Sequence, residues 1–325
     1  MSGWKGIAVS VALGVMSFSG TALAESWPTK NITMIVPFGA GGSIDRFARG
    51  LAQYWEKNLD GVSIIVENRP GASGLLGAKT FLNAPDDGST LFVGIQPTLS
   101  INTVVQGADF SLDDFAFVNI EQRDYGDVVV SANSRFNSIE DFVSEARDNP
   151  GKLSAAMILG GGTSLFGLAL LQELDLDVRT VTFNSGGELR TNMLGDHSDI
   201  TISGAYGDVA LGDEVKVLAV ASPEPFPGLD KAVPIAKAFP DANVPAIGDS
   251  RFVAVQASFA EEHPEAFAEL VESYKATFES AAYQDYLKST GTDVISGYIG
   301  PEESTAVAKS MEAVVERFKD VLANN

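Results

Sequence analysis

The chain has 325 residues, 45% of them hydrophobic and 20% charged, with 32 glycines and no cysteine. That length gives a core for one large or two ordinary domains, and the composition fits an α/β protein with many tight turns better than a disordered or coiled-coil chain. The lack of cysteine excludes disulfides, thiolate nucleophiles and cysteine metal sites, and a formal net charge of −21 speaks against nucleic acid and anionic lipid as partners.

Residues 1–24 carry one positive charge at Lys5, an apolar stretch at 7–18 and the small-residue pattern Ala22-Leu23-Ala24. They read as a secretory signal peptide cleaved after Ala24, which implies a periplasmic protein. The apolar run is shorter than the roughly 20 residues that span a bilayer. Next come short β-branched runs at 31–38, 62–67, 90–95, 127–131, 153–159, 179–183, 200–203, 215–221 and 251–256, with helical stretches between them. This alternation predicts an α/β fold of parallel sheets covered by helices. Two packing helices close the chain, at 264–280 and 301–322; the second has Val307, Met311, Val314, Phe318 and Val321 on one face. A polar turn at 121–126 and a proline-rich stretch at 221–228 are the expected crossings between domains. They give a discontinuous first lobe, 25–123 plus 221–325, around a second at 124–220, with a cleft between them that hinge bending can close.

Three strands run into glycine-rich turns that open helices, at 37–45, 160–164 and 184–188. After the first turn, Ile44, Phe47, Leu51 and Tyr54 repeat at helical spacing, which puts the turn at a helix N-terminus. Unpaired backbone N–H groups and the positive end of the helix dipole make such a turn an anion site without lysine or arginine. The glycines would equally serve tight turns alone, and Ser43, Thr163, Ser164, Asn184 and Ser185 are also good helix caps. The first turn lacks the lysine of a phosphate-binding loop, and residues 71–74 lack the spacing of a nucleophile elbow. His197 and His263 fit no metal-ligand pattern and read as surface or cap residues. No metal, cofactor or catalytic residue is expected, and the competing class is a secreted hydrolase using Ser43 or Ser73.

The residues also carry a resemblance. It begins at Trp27-Pro28 and runs through Ile35-Val36-Pro37-Phe38, Ala40-Gly41-Gly42-Ser43, Asp45 and Arg49 to Val66-Glu67-Asn68-Arg69-Pro70-Gly71-Ala72. Gly74, Gly77-Ala78, Asp87-Gly88-Ser89-Thr90-Leu91, Asp113-Asp114-Phe115, Asn149-Pro150-Gly151-Lys152-Leu153, Gly186-Gly187, Leu194-Gly195 and Asp199 extend it over nearly the whole mature chain. In these landmarks the chain resembles the Bug-type periplasmic receptors of tripartite tricarboxylate transporters.

The resemblance implies a two-lobed Venus-flytrap fold, each lobe a sheet flanked by helices, closing over an organic acid. Carried over by position, the ligand contacts of the first lobe are Phe38, Ala40, Gly41, Gly42, Ser43 and Asp45. Those of the second lobe are Gly162, Thr163, Ser164, Asn184, Ser185, Gly186 and Gly187, with Gln96, Thr98 and Ser203 at strand ends facing the same cleft. Many members have a histidine where this chain has Phe166, and proline and tyrosine where Thr182 and Phe183 stand. Phe166 is thereby a candidate for an apolar pocket wall or a core position. Asp45 would accept from a ligand amine or, as preferred, act through water or as a helix cap, with Arg49 pairing to it one turn on. The expected protein is a monomeric, non-enzymatic receptor that captures a di- or tricarboxylate of four to six carbons and delivers it to integral membrane transporter subunits. The alternatives are an aromatic carboxylate as ligand and a membrane signalling partner instead of a transporter.

Overall fold

The β-branched runs become strands gathered in two sheets. The structure, a computed structural model, describes Met1 and residues 27–59, 61–183 and 185–324. The expected signal peptide, Met1 apart, and Asn184 lie outside these residues. Strands β1 (Ile32–Val36), β2 (Ile64–Asn68), β3 (Thr90–Gln96), β4 (Phe115–Arg123) and β11 (Ser250–Gln256) form a sheet of order β2-β1-β3-β11-β4. The second sheet has order β10-β9-β5-β8-β6-β7, from β5 (Gly126–Ser131), β6 (Ser154–Met157), β7 (Arg179–Thr182), β8 (Ile200–Gly204), β9 (Val215–Val220) and β10 (Val233–Pro234).

The sheets are mixed, which corrects the expectation of purely parallel ones. In the first, β1 pairs parallel with β2 and β3, while β11 runs antiparallel to β3 and β4. In the second, β5 is antiparallel to β8 and β9, while β6 is parallel to β7 and β8. Each reversed strand is the one by which the chain arrives from the other sheet, so it enters from the junction, against its neighbours. As a result β3, β8 and β9 all end at the junction, where ligands of open α/β sheets bind.

Strand pairing passes to the second sheet between Arg123 and Gly126 and returns between Pro234 and Ser250. Residues 233–234, grouped above with the first lobe, therefore pair in the second sheet. The C-terminal end also crosses: helix Gly300–Arg317 packs along β4, yet Val315 and Phe318 are buried in the second sheet's core with Leu165, Phe166 and Leu170. The expected continuous helix at 301–322 breaks at Phe318 and resumes as Lys319–Ala323.

The first sheet is covered on both faces. One core joins Ile32, Val36, Phe47, Leu51 and Trp55 to Tyr274 and Tyr283, and the other stacks Phe81, Phe92, Phe115, Phe117 and Phe252. Helix α1 (Ser43–Trp55) buries Ile44, Phe47, Ala48, Leu51, Ala52 and Trp55, a stripe at helical period that turns Tyr54 to the margin. Each such side chain contributes about 1.5–3 kcal/mol when fully buried. Among the described residues no helix is long and apolar enough to cross a membrane.

Candidate functional site

The first turn is closed by its own side chains. Gly41 has φ +80°, a conformation that favours glycine, and Gly42 sits at the N-cap of α1. Asp45, 3% exposed, accepts from the Gly41 N–H at 2.8 Å, from Arg49 Nε at 3.0 Å and from Asn68 Nδ2 at 2.9 Å. Asn68 Nδ2 also donates to the Phe38 carbonyl, and Arg46 Nη1 to that of Gly41. Burial works to raise the Asp45 pKa, but the bonds from Arg49, Gly41 and Asn68, with the Arg49 charge, hold it below the ordinary value. Asp45 thus spends its lone pairs on the loop and uses one of the backbone donors expected to face a ligand. Phe38 packs beside Gly74, while Ala40, Gly41 and Ser43 are exposed at the loop surface.

The second turn opens the helix Gly162–Glu173. Gly160 has φ +89° and its carbonyl accepts from Thr98 Oγ1 across the two sheets at 3.2 Å. The Gly162 N–H donates to Asp249 Oδ1 at 2.8 Å, and Ser164, fully buried, binds Gly161 within its own helix start. Thr163 is the member of this turn that lines a cavity. In the third turn Ser185 Oγ accepts from the Glu188 N–H as the N-cap of the helix Gly186–Leu194; Gly186 lines the same cavity as Thr163, and Gly187 is exposed. Gln96 is sealed, its Oε1 accepting from Ser100. Phe166 is fully buried in the second core, against Gly126, so it is a core residue and no pocket wall.

Two adjoining cavities lie where the sheets meet, sharing Asp124, Ser203 and Gly204. The larger, about 350 Å³, lies between Ser43 and Arg46 of α1, Arg251 of β11, Tyr206 after β8, and Tyr286. The smaller, about 170 Å³, lies among Thr163, Arg190, Ser203, Asp124, Asp208 and Asp249. Of the expected contacts, then, Ser43 and Ser203 meet in the first cavity, and Thr163, Gly186 and Ser203 in the second.

The charged walls of both cavities were not among the expected contacts. Arg251 is 7% exposed; its Nη2 donates to Ser43 Oγ at 3.2 Å, its Nη1 to Gln122 at 3.4 Å, and its Nε has no partner. Asp124 accepts from the Tyr206 N–H at 3.0 Å, and the Tyr206 hydroxyl reaches the Thr290 carbonyl at 2.8 Å, tying the two sheets across the larger cavity. Burial pushes Asp124 up to about 6; the Tyr206 N–H and the Arg251 charge offset part of this, and Asp249 and Asp208 add to it. Asp249 is raised by burial despite Arg251 and the Gly162 N–H. Asp208 is raised by burial against the help of Ser203 and of Arg190, 3.6 Å away. Neither oxygen of the buried Asp127 meets a donor. Burial, then the charges of Asp208 and Asp124, raise its pKa well above the ordinary carboxylate value, with the Ser203 backbone working against them.

The junction itself is backbone against backbone. Asp124 N–H donates to Asp249 O and Gly126 N–H to Ile247 O, both at 3.0 Å. A Cβ on Gly248 would lie 2.1 Å from Asp124 O, and one on Gly162 would lie 2.1 Å from Gly248 O. The signal that could have found the site is a charge set in an apolar strand, Asp127 ahead of Val128-Val129-Val130 and Arg251 ahead of Phe252-Val253.

Two sheets joined at such a crevice are common to many binding folds, and the sequence profile described as "Tripartite tricarboxylate transporter family receptor" decides among them by matching residues 47–319. The chain belongs to that family. A UPF0065 protein from the tcbD-tcbE intergenic region of Pseudomonas sp. strain P51 is 27% identical over 241 residues, 73% of this receptor and 71% of the relative. A TctC solute binding protein from Polaromonas superposes with a TM-score of 0.76 at 22% identity, over 92% of this chain and all of that one. MatC of Rhodopseudomonas palustris, solved with bound malate, gives 0.71 at 22%, over 91% of this chain and all of that one. At these identities the likeness establishes the fold, a two-lobed α/β periplasmic-binding-protein fold.

Proposed function

We propose that this receptor captures a small organic carboxylate between its two sheets in the periplasm, without turning it over, and hands it to the membrane subunits of a tripartite transporter. The observation that carries the reading is Arg251, a nearly buried guanidinium in the wall of the larger cavity, facing the start of α1. Arginine presents a planar fork of donors that matches a carboxylate. The positive end of α1 and the Arg46 side chain add to its field. The malate held by MatC on a similar fold is consistent with a ligand of four to six carbons.

Capture follows from the junction. The Tyr206 to Thr290 and Thr98 to Gly160 bonds, each joining the two sheets, are the contacts that opening would break. A carboxylate bound to Arg251 and Ser43 from one side and to the Ser203–Tyr206 loop from the other favours the closed form by the contacts it adds there. The unit that swings is the second sheet, entered at Gly126 and left after Pro234. Ser43 as a hydrolytic nucleophile is disfavoured, since its Oγ faces a guanidinium where a general base is needed.

The test is a thermal-shift and calorimetric screen of the folded protein against C4 to C6 di- and tricarboxylates and aromatic monocarboxylates. A ligand at a hundred times its Kd should add about 2.7 kcal/mol of stability by mass action. If a sugar or metal ion shifts the melting point and no carboxylate does, the reading fails. Turnover of chromogenic esters that Ser43→Ala abolishes would instead establish an enzyme.

A further inference from the structure

A third cavity lies on the far side of the crossings from the cleft. It measures about 330 Å³ and is walled by both crossings, at residues 123–125 and 243–250, and by one face of the helix Gly300–Arg317. Asp124 lines this cavity and both of those described above, so the first crossing is the partition between them. Its carboxylate turns to the front, with Oδ1 accepting from the Tyr206 N–H and Oδ2 lying beside Gly204. On the helix, Val307, Met311 and Val314 line the cavity at helical spacing. Val307 packs against the first sheet's phenylalanine core, and Met311 and Val314 against the second sheet's core, so this wall spans the two lobes.

The charge of this cavity is positive. Arg317, at one end, is held by Glu173 Oε1 at 2.6 Å and the Asn243 carbonyl at 3.0 Å. The side chain of Arg123 is half-buried and has neither a hydrogen bond nor an ion pair among the described residues. In a chain of net charge −21, carboxylates to pair with it are plentiful, yet it is left with its five N–H donors beside a cavity. Most of the other walls are apolar. A space of roughly 300–1,000 Å³ at a domain boundary, mostly apolar with a few polar groups, is the usual form of a small-molecule site. We infer that this rear cavity is a second binding site, for a small amphiphilic anion whose acidic head pairs with Arg123 and whose apolar body lies against Ile247, Met311 and Val314.

The position of the site gives it a role distinct from that of the cleft. The crossings are the pivot, and they lie between the front cavities and the rear one, so bending that narrows one side widens the other. A molecule that fits the rear cavity as it stands favours this arrangement of the lobes, by the contacts it makes here and loses in any other. By reciprocity, a solute that draws the front cleft into the same arrangement tightens rear binding by the same factor. The rear occupant is thus an effector of the hinge, and its site exists whatever the front cavities hold.

The probe for the test is 8-anilinonaphthalene-1-sulfonate, an anion whose fluorescence rises in apolar surroundings, titrated into the full-length mature protein. The expected result is one saturable site, from which hexanoate displaces the probe at a concentration about tenfold lower than 1-hexanol needs, the scale of a hydrogen bond to a charged group. Arg123→Gln should weaken probe binding by about the same factor, and Met311→Trp, which fills the cavity, should abolish it. Arg251→Ala, in the front cleft, should leave it within threefold of the parent. No saturable binding by protein whose circular dichroism shows it folded overturns the inference, as does equal displacement by hexanoate and hexanol. Binding unchanged in Arg123→Gln or in Met311→Trp overturns it too, and since the two alter the cavity independently, one folded variant is enough. Binding lost in Arg251→Ala but kept in Arg123→Gln places the probe in the front cleft, which overturns this inference and leaves the carboxylate reading standing.

Discussion

Asp45 in the first turn and Asp124 in the crossing are both nearly sealed from solvent, 3% and 9% exposed, yet their surroundings treat their charges in opposite ways. Around Asp45 the burial penalty is outweighed by Arg49, the Gly41 N–H and Asn68, so the carboxylate is held below its ordinary pKa. Around Asp124 burial wins, with one N–H and the Arg251 charge set against Asp249 and Asp208, and the group rises to about 6. A carboxylate that has used all its partners is a structural part. One short of partners can respond to ligand and to pH. On the proposed reading, the glycine-rich turn is therefore the frame of the site and the charged junction its chemistry.

The sharpest way to break this division is Arg251→Ala, which removes the guanidinium and leaves Asp124 and Asp249 without their counter-charge. Affinity for the best carboxylate should fall about 100-fold, roughly 3 kcal/mol, as for other truncated buried charge partners. Titration calorimetry reads it, and an affinity within threefold of the parent would return the anchoring role to the first turn.

Next in size is the pH dependence of Asp124. Its folded pKa lies above the unfolded value near 3.8, so the native state holds a proton that the unfolded chain releases. The associated stability is full below pH 3.8 and is lost as pH rises through about 6, by roughly 3 kcal/mol for a rise of about two units. Asp124→Asn keeps an acceptor for the Tyr206 N–H and removes the titration. Urea unfolding of parent and variant from pH 4 to 7 should show the parent losing stability faster by about that amount. Parallel curves would mean that the group ionises freely in the folded protein.

The turn was legible in the sequence and the junction was not, for a physical reason. Backbone conformation leaves local marks: Gly41 and Gly160 are glycines because φ is positive there, and the buried stripe of α1 is written at helical spacing. Strand positions were legible for the same reason, since most β-branched runs became strands. The failures involve partners distant in sequence. β4 continues through the supposed polar turn to Arg123 because the buried Glu121 finds the hydroxyls of Tyr274 and Tyr283, 153 and 162 positions away. β10 is two residues long and exists by pairing with β9. Arg251, Asp124 and Asp208 come from three separate segments, and their meeting depends on how the crossings pack.

That packing gives a smaller effect. Gly248→Ala places a Cβ against Asp124 O and the Tyr125 Cα, 2.1 and 2.6 Å away, where no flexible side chain can yield. Overpacking of this kind costs about 2 kcal/mol, or about 3 °C in Tm for a chain of this size. Gly186→Ala is the control, because nothing lies within 4 Å of its Cβ, and its stability should change by less than about 0.5 kcal/mol. Equal melting points for the two variants would show that the crossings can separate without cost.

The smallest effect is expected at Asp45, which the family resemblance set among the first-lobe contacts with a preferred role through water or as a helix cap. Asp45→Ala removes the acceptor that closes the turn, at a cost of about 1–2 kcal/mol, the scale of a lost helix-start cap. Because its folded pKa is lowered, the stability it contributes is present above about pH 4 and is lost as pH falls through that lowered value. Parent and variant should therefore differ at pH 7 and converge toward pH 3 in urea unfolding. Affinity measured on the same samples should change by less than threefold, because the side chain turns toward Gly41 and Asn68 and away from the cleft. A tenfold loss of affinity with stability intact would put the carboxylate in contact with ligand and erase the distinction between frame and chemistry.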